Sequence, residues 1–157
     1  MAGSKNVSKV VRFQKGFSWE GIEAEQYKSD GSNFKGVTRF NLIGMRGETT
    51  RFHLRYFEVA PGGYTTFEHH EHEHVVYALR GKGIFRTQDE RIGVGAGDIV
   101  YICPSDPHQF ANEGKEPFGF LCIVNADRDR PVPIQGGDDS SCLGEQARKI
   151  IEEAEKE

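Results

Sequence analysis

Residues 68–81, EHHEHEHVVYALRG, constrain this chain more than any other stretch. They hold His69, His70, His72 and His74, four of the chain's six histidines. Side chains alternate between faces along an extended strand, so Glu68, His70, His72 and His74 share one side. His69, Glu71 and Glu73 take the other and read as an exposed face. Imidazoles and carboxylates converging on one face are the usual ingredients of a metal site. A solvated histidine-rich loop is the competing reading. The apolar strand that follows at once, residues 75–79, favours a built site. His108 stands in a second cluster downstream, whereas His53 reads as a strand residue without a special role.

The 157 residues suffice for one domain with a moderate core. A net charge of −4 with mixed signs provides no basic stripe to neutralise phosphates, so no nucleic-acid partner is expected. No apolar stretch approaches a membrane span, and the first residues show no secretory signal, so the expected location is cytoplasmic. Cys103, Cys122 and Cys142 are odd in number and have no CxxC spacing, which argues against a disulfide framework or a thiolate zinc site. Cys103 and Cys122 sit in the apolar runs YIC and FLCIV, where buried packing is the default reading.

Along the chain, residues 1–40 are polar with scattered aromatics and predict an N-terminal extension packed on the main domain. FNLIG, 40–44, predicts a short strand. From Arg51 the pattern is all-β. RFHLRYFEV (51–59), GIFRTQ (83–88), the strand at 99–103 and FGFLCIV (118–124) are separated by turn signals about every ten residues. This spacing predicts an antiparallel barrel or sandwich over residues 41–126. Residues 127–141 read as a linker by proline, glycine and charge content. Residues 143–157 predict a C-terminal helix, with Leu143, Ala147, Ile150, Ile151 and Ala154 as its apolar stripe.

The two histidine clusters resemble the motifs of the cupin family, small antiparallel jelly-roll barrels in which two motifs face one metal. The first family motif runs from a glycine through HxH and a glutamate to a second glycine. Here it reads PGGYTTFEHHEHEHVVYALRG, 61–81. Counting back from Gly81 places His74 at the family's glutamate, His70 at its second histidine and Glu68 at its first. The second motif reads GDIVYICPSDPHQFAN, 97–112, in which Pro104, His108 and Asn112 match. Asp106 stands where the family has glycine, and one residue is missing before His108. The inverted order Glu-x-His-x-x-x-His also resembles that of the ureidoglycine aminohydrolases. Those enzymes have two cupin domains, so the ligand geometry carries over and the substrate does not.

The resemblance implies a single jelly-roll barrel and one divalent transition metal (Mn, Fe, Ni, Co or Zn) held by Glu68, His70, His74 and His108. His72 has the same parity and is the rival fourth ligand. Alternation puts Val76, Ala78, Phe110, Phe120 and Cys122 on the pocket wall with His72. Either Arg55 or Tyr56 joins them, and the parity there stays open. Such a site is net positive and a Lewis acid toward a carboxylate, enolate or dicarbonyl oxygen. The implied function is a metalloenzyme of dioxygenase, isomerase or hydrolase type acting on a small anionic or enolisable substrate. The alternative is a metal-dependent binding or sensory module without turnover. No separate general base stands out. A homodimer is expected, because exposed strand edges need cover.

Overall fold

Short alternating runs between turn signals become thirteen strands, with no helix among the described residues, which in this computed structural model are 6–26, 33–128 and 132–134. In chain order they are β1 (Phe13–Gln14), β2 (Ser18–Trp19), β3 (Glu25–Gln26), β4 (Lys35–Ile43), β5 (Phe52–Tyr64), β6 (Glu68–His69), β7 (His74–Arg80), β8 (Lys82–Arg86), β9 (Arg91–Gly95), β10 (Ile99–Ile102), β11 (Gln109–Ala111), β12 (Phe118–Asn125) and β13 (Val132–Pro133). Nine form one curled antiparallel sheet in the order β10-β7-β12-β5-β11-β8-β9, with β4 on β5 and β3 on β4. The predicted C-terminal helix over 143–157 lies outside the described residues, as does most of the linker. The strand expected at 40–44 begins earlier, at Lys35, because Val37 is buried on one face while Thr38 and Arg39 mask the pattern.

β5 makes the curl. Its first part pairs with β4 and β12, and Tyr64 at its far end pairs with Ala111 of β11. Between them lie Pro61, which has no N–H for a ladder, and Gly62, at φ +79°. Beyond Pro61 the Gly62 N–H donates to the Asn112 carbonyl at 2.8 Å, which carries the strand over to the β11 side.

The register of β5 against β12 sorts side chains between the two faces. Arg55 pairs with Cys122 and Phe57 with Phe120, and these point inward. Tyr56 pairs with Leu121 and points outward. There it packs with Trp19, Phe40 and Leu42 beneath the N-terminal segment. Its hydroxyl donates to Glu58 at 2.9 Å, and Glu58 is bridged to Arg80. Tyr56 therefore does not line the pocket. Of the two candidates for the pocket wall, the register selects Arg55 and places Tyr56 on the outer face. Burying the Trp19 ring against Phe40 and Tyr56 contributes roughly 2–3 kcal/mol by transfer alone.

Gly81, the residue from which the motif register is counted, turns β7 into β8 at φ +68°, and a Cβ there would collide with the carbonyl of Pro117. Both effects oppose a side chain. Gly81→Ala is expected to cost roughly 2–4 kcal/mol, read as a lowered denaturation midpoint. An unchanged midpoint would contradict this.

Candidate metal centre

Backbone ladders set the histidines before any ligand is considered. Glu68 and His108 form an antiparallel bridge, each N–H donating to the other's carbonyl at 3.1 and 3.0 Å. Directly paired residues project to the same side of a sheet, so the Glu68 and His108 side chains emerge together. His74 is held opposite Ile102 in the β7–β10 ladder. The His70 carbonyl accepts from the Ser105 N–H at 2.7 Å, which ties the loop before β7 to the turn before β11.

His70, His74 and His108 converge, each offering a ring nitrogen within 4.8 Å of the others. His70 Nε2 lies 3.3 Å from His108 Nε2, and His74 Nε2 lies 3.0 Å from His72 Nε2. The rings of His70 and His72 stack at 3.9 Å. His70 Nδ1 is 2.8 Å from the His72 carbonyl, and His108 Nδ1 is 2.8 Å from the Asp106 carbonyl. Carbonyl oxygens only accept, so both Nδ1 atoms carry the proton and both Nε2 atoms present lone pairs. Two lone pairs at 3.3 Å repel unless a cation lies between them. Backbone carbonyls that orient imidazoles in this way are typical of metal-ligating histidines. The donor set therefore fits a divalent ion.

Electrostatics agree. Burial, partly opposed by the Asp106 carbonyl, pushes His108 down to about 4. His74 is also pushed well below the ordinary imidazole range, first by burial and then by His70, His108 and Arg55. Both rings are thus neutral ligands at neutral pH. In the metal-free chain the unfolded His108 takes up a proton near pH ~6.5, while the folded one resists until about pH 4. The unfolded state binds more protons in that window, so stability falls as pH drops from 6.5 to about 4 and flattens below. Urea titrations across that range in chelator check this. Stability rising toward acid would contradict it.

The expected wall residues Val76, Ala78, Phe110, Phe120 and Cys122 all lie in the inner apolar cluster. His72 is buried beside the cluster on the side of His70, whereas Glu71 and Glu73 are exposed, as alternation anticipates. Glu68 is buried. Alternation along the last strand gave Cys122 a wall position, but its neighbours were not legible in the sequence. Its Sγ lies 3.4 Å from His74 Nδ1 and 3.5 Å from Arg55 Nη2. Arg55 also stacks on Phe57, its centre 4.9 Å from the ring, and its buried Nε–H has no acceptor among the described residues. Burial raises the Cys122 thiol, and Arg55 opposes that rise. A separate open cleft of about 770 Å³, lined by Tyr64, Arg86, Arg91 and Glu113 among others, includes none of these residues.

A jelly-roll curl, a histidine cluster inside it and the two motifs in order now stand together, and known proteins match them. The cupin domain model matches residues 55–124. The 1-methylthio-D-xylulose 5-phosphate methylsulfurylase of Rhodospirillum rubrum is 42% identical over 120 residues, 76% of this chain and 76% of that protein. The chain belongs to the cupin family. The crystal structure of a cupin 2 conserved barrel protein from Rhodopseudomonas palustris superposes with a TM-score of 0.77 at 32% identity, covering 92% of this chain and 97% of that one. Likeness to the ureidoglycine aminohydrolases is weaker. The probable rice enzyme is 30% identical over 79 residues, 50% of this cupin but 26% of that protein.

Proposed function

We propose that this cupin is a metal-dependent enzyme that removes a thioether-linked methylthio group from a phosphorylated ketose, with Cys122 receiving the sulfur. One observation carries the reading: Cys122 Sγ lies between the imidazole of His74 and the guanidinium of Arg55. With His74 ligating through Nε2, its Nδ1–H donates to the sulfur, and Arg55 donates from the other side. Both donors stabilise the thiolate, which is the nucleophile, against the burial that raises the thiol. The name of the Rhodospirillum rubrum relative supplies the substrate class, a 1-methylthio ketose 5-phosphate.

The residues suffice for a balanced step. The Cys122 thiolate attacks the substrate sulfur, forming a methyl disulfide and breaking the bond between that sulfur and C1. The released electron pair moves into the adjacent ketone as an enolate, and C1 then takes a proton. The ketose is reduced and Cys122 is oxidised. A second small thiol attacks the disulfide, leaves with the methylthio group and returns Cys122 to the thiol. A divalent ion held by His70, His74, His108 and Glu68 would supply a Lewis acid for the ketone oxygen. The apolar wall of Val76, Ala78 and Phe120 excludes water from the thiolate.

The test is turnover of 1-methylthio-D-xylulose 5-phosphate by the metal-loaded protein with a small thiol. Conversion to the 1-deoxy sugar with solvent hydrogen at C1 is expected. Metal binding without turnover would favour the binding-module alternative. Arg55 carries a narrower prediction. Arg55→Lys keeps the charge but loses the planar fork, and is expected to raise KM for the phosphorylated substrate by roughly ten-fold or more. Unchanged steady-state kinetics would remove Arg55 from the site.

A further inference from the structure

His53 reads in the sequence as a strand residue without a special role, yet the β5–β12 ladder turns it inward. It pairs with Val124 of the inner cluster, just as Arg55 pairs with Cys122. Its ring lies over Gly44, where a Cβ would collide with it. Arg128, just past the end of β12, donates from Nη1 to His53 Nδ1 at 3.0 Å and to the Asn125 carbonyl at 2.8 Å. A guanidinium only donates, so His53 Nδ1 is the acceptor and the ring proton sits on Nε2. Burial first, then the charges of Arg128 and Arg55, hold His53 below the ordinary imidazole range, which agrees with a neutral ring. Both guanidiniums also lower the Cys122 thiol, so their fields overlap at the inner wall.

We infer that Arg128, positioned by His53, forms with Arg55 a subsite for the phosphate monoester of the substrate; this rests on the ketose 5-phosphate reading above. The sulfur on C1 goes to Cys122, and the ester on C5 is at the other end of the sugar. The phosphate therefore binds away from the sulfur, and His53 stands two residues, about 7 Å, along β5 from Arg55. The two acceptors of Arg128 are neutral, so they orient the guanidinium without cancelling its charge. Arg55 adds its buried Nε–H, which has no acceptor among the described residues. Two guanidinium forks match a phosphate in both charge and geometry. The other side of Arg55 is already taken. Asn41 pairs with Arg55 and Arg39 with Phe57, and both donate to Glu25, at 3.1 and 2.9 Å. That carboxylate would repel a phosphate, so the ester is directed toward Arg128.

Titration calorimetry of the metal-loaded protein with inorganic phosphate tests this. Arg128→Gln is expected to weaken phosphate binding by roughly ten-fold or more. His53→Leu, which removes the acceptor and keeps bulk over Gly44, is expected to weaken it less. Arg91→Gln, in the separate cleft, is expected to bind phosphate as the wild type does. The wild type is also expected to prefer the 1-deoxy sugar 5-phosphate over its dephosphorylated form, and Arg128→Gln to lose that preference. Circular dichroism and metal content verify that each variant is folded. Unchanged phosphate affinity in Arg128→Gln, the result for phosphate held by the ion alone, would overturn the subsite, as would an equal loss in Arg91→Gln. Should Arg128→Gln not fold, His53→Leu gives the same reading, and no loss there would overturn it. None of these measurements involves turnover. Absent methylthio transfer would therefore remove the proposed reaction and leave the subsite, whereas unchanged phosphate affinity would remove the subsite and leave the reaction.

Discussion

Cys122→Ser is expected to reduce turnover by roughly a thousand-fold or more while leaving the bound metal in place. The hydroxyl keeps most of the volume, so the inner wall of Val76, Phe120 and Val124 stays packed. It cannot form a disulfide with the departing sulfur, so loss of the nucleophile blocks the reaction at its first bond. A structural cysteine would behave differently. Its replacement by serine would lower stability slightly and turnover only in proportion. The nucleophilic and structural roles separate on one pair of numbers, turnover and metal content, measured on the same preparation. Retained turnover in the serine variant would remove Cys122 from the chemistry.

Each of His70→Ala, His74→Ala and His108→Ala is expected to cost on the order of a hundred-fold or more in metal affinity, since even indirect losses around a metal site reach ten- to a hundred-fold. The sharper comparison is Glu68→Ala against His72→Ala. Glu68 emerges beside His108 from a doubly hydrogen-bonded bridge, and a carboxylate offsets part of a divalent charge inside an apolar barrel. His72 stacks on His70 and meets His74 at 3.0 Å, so it too stands near the ion. The expectation is a loss of roughly ten-fold or more for Glu68→Ala and little for His72→Ala. Metal titration decides, and a reversed order would make His72 the fourth ligand.

Much of this was legible because period-two alternation fixes direction. Val76, Ala78, Phe120 and Cys122 were placed inward by alternation, and each is buried. His70, His74 and His108 were placed by the resemblance to the two cupin motifs, whose register is counted from Gly81 and from the proline turn before His108. Pairing register was not legible. Arg55 and Tyr56 both sit in a run of strand formers, and the β5–β12 ladder alone decides which faces in. The same ladder brings Arg55 to Cys122 across 67 positions of sequence, a contact that no local pattern encodes. Cys122 read as a packing residue because its own run, FLCIV, is apolar; its chemistry comes from neighbours on β5 and β7.

The most direct measurement is the intact mass of the metal-loaded protein after one mixing with 1-methylthio-D-xylulose 5-phosphate, with small thiols left out. Without a second thiol the reaction stops after its first half. The predicted result is the addition of one methylthio group per chain, mapped to Cys122 by peptide analysis, released by a reducing thiol and not formed on Cys122→Ser. Release of the 1-deoxy sugar with Cys122 still unmodified would contradict it.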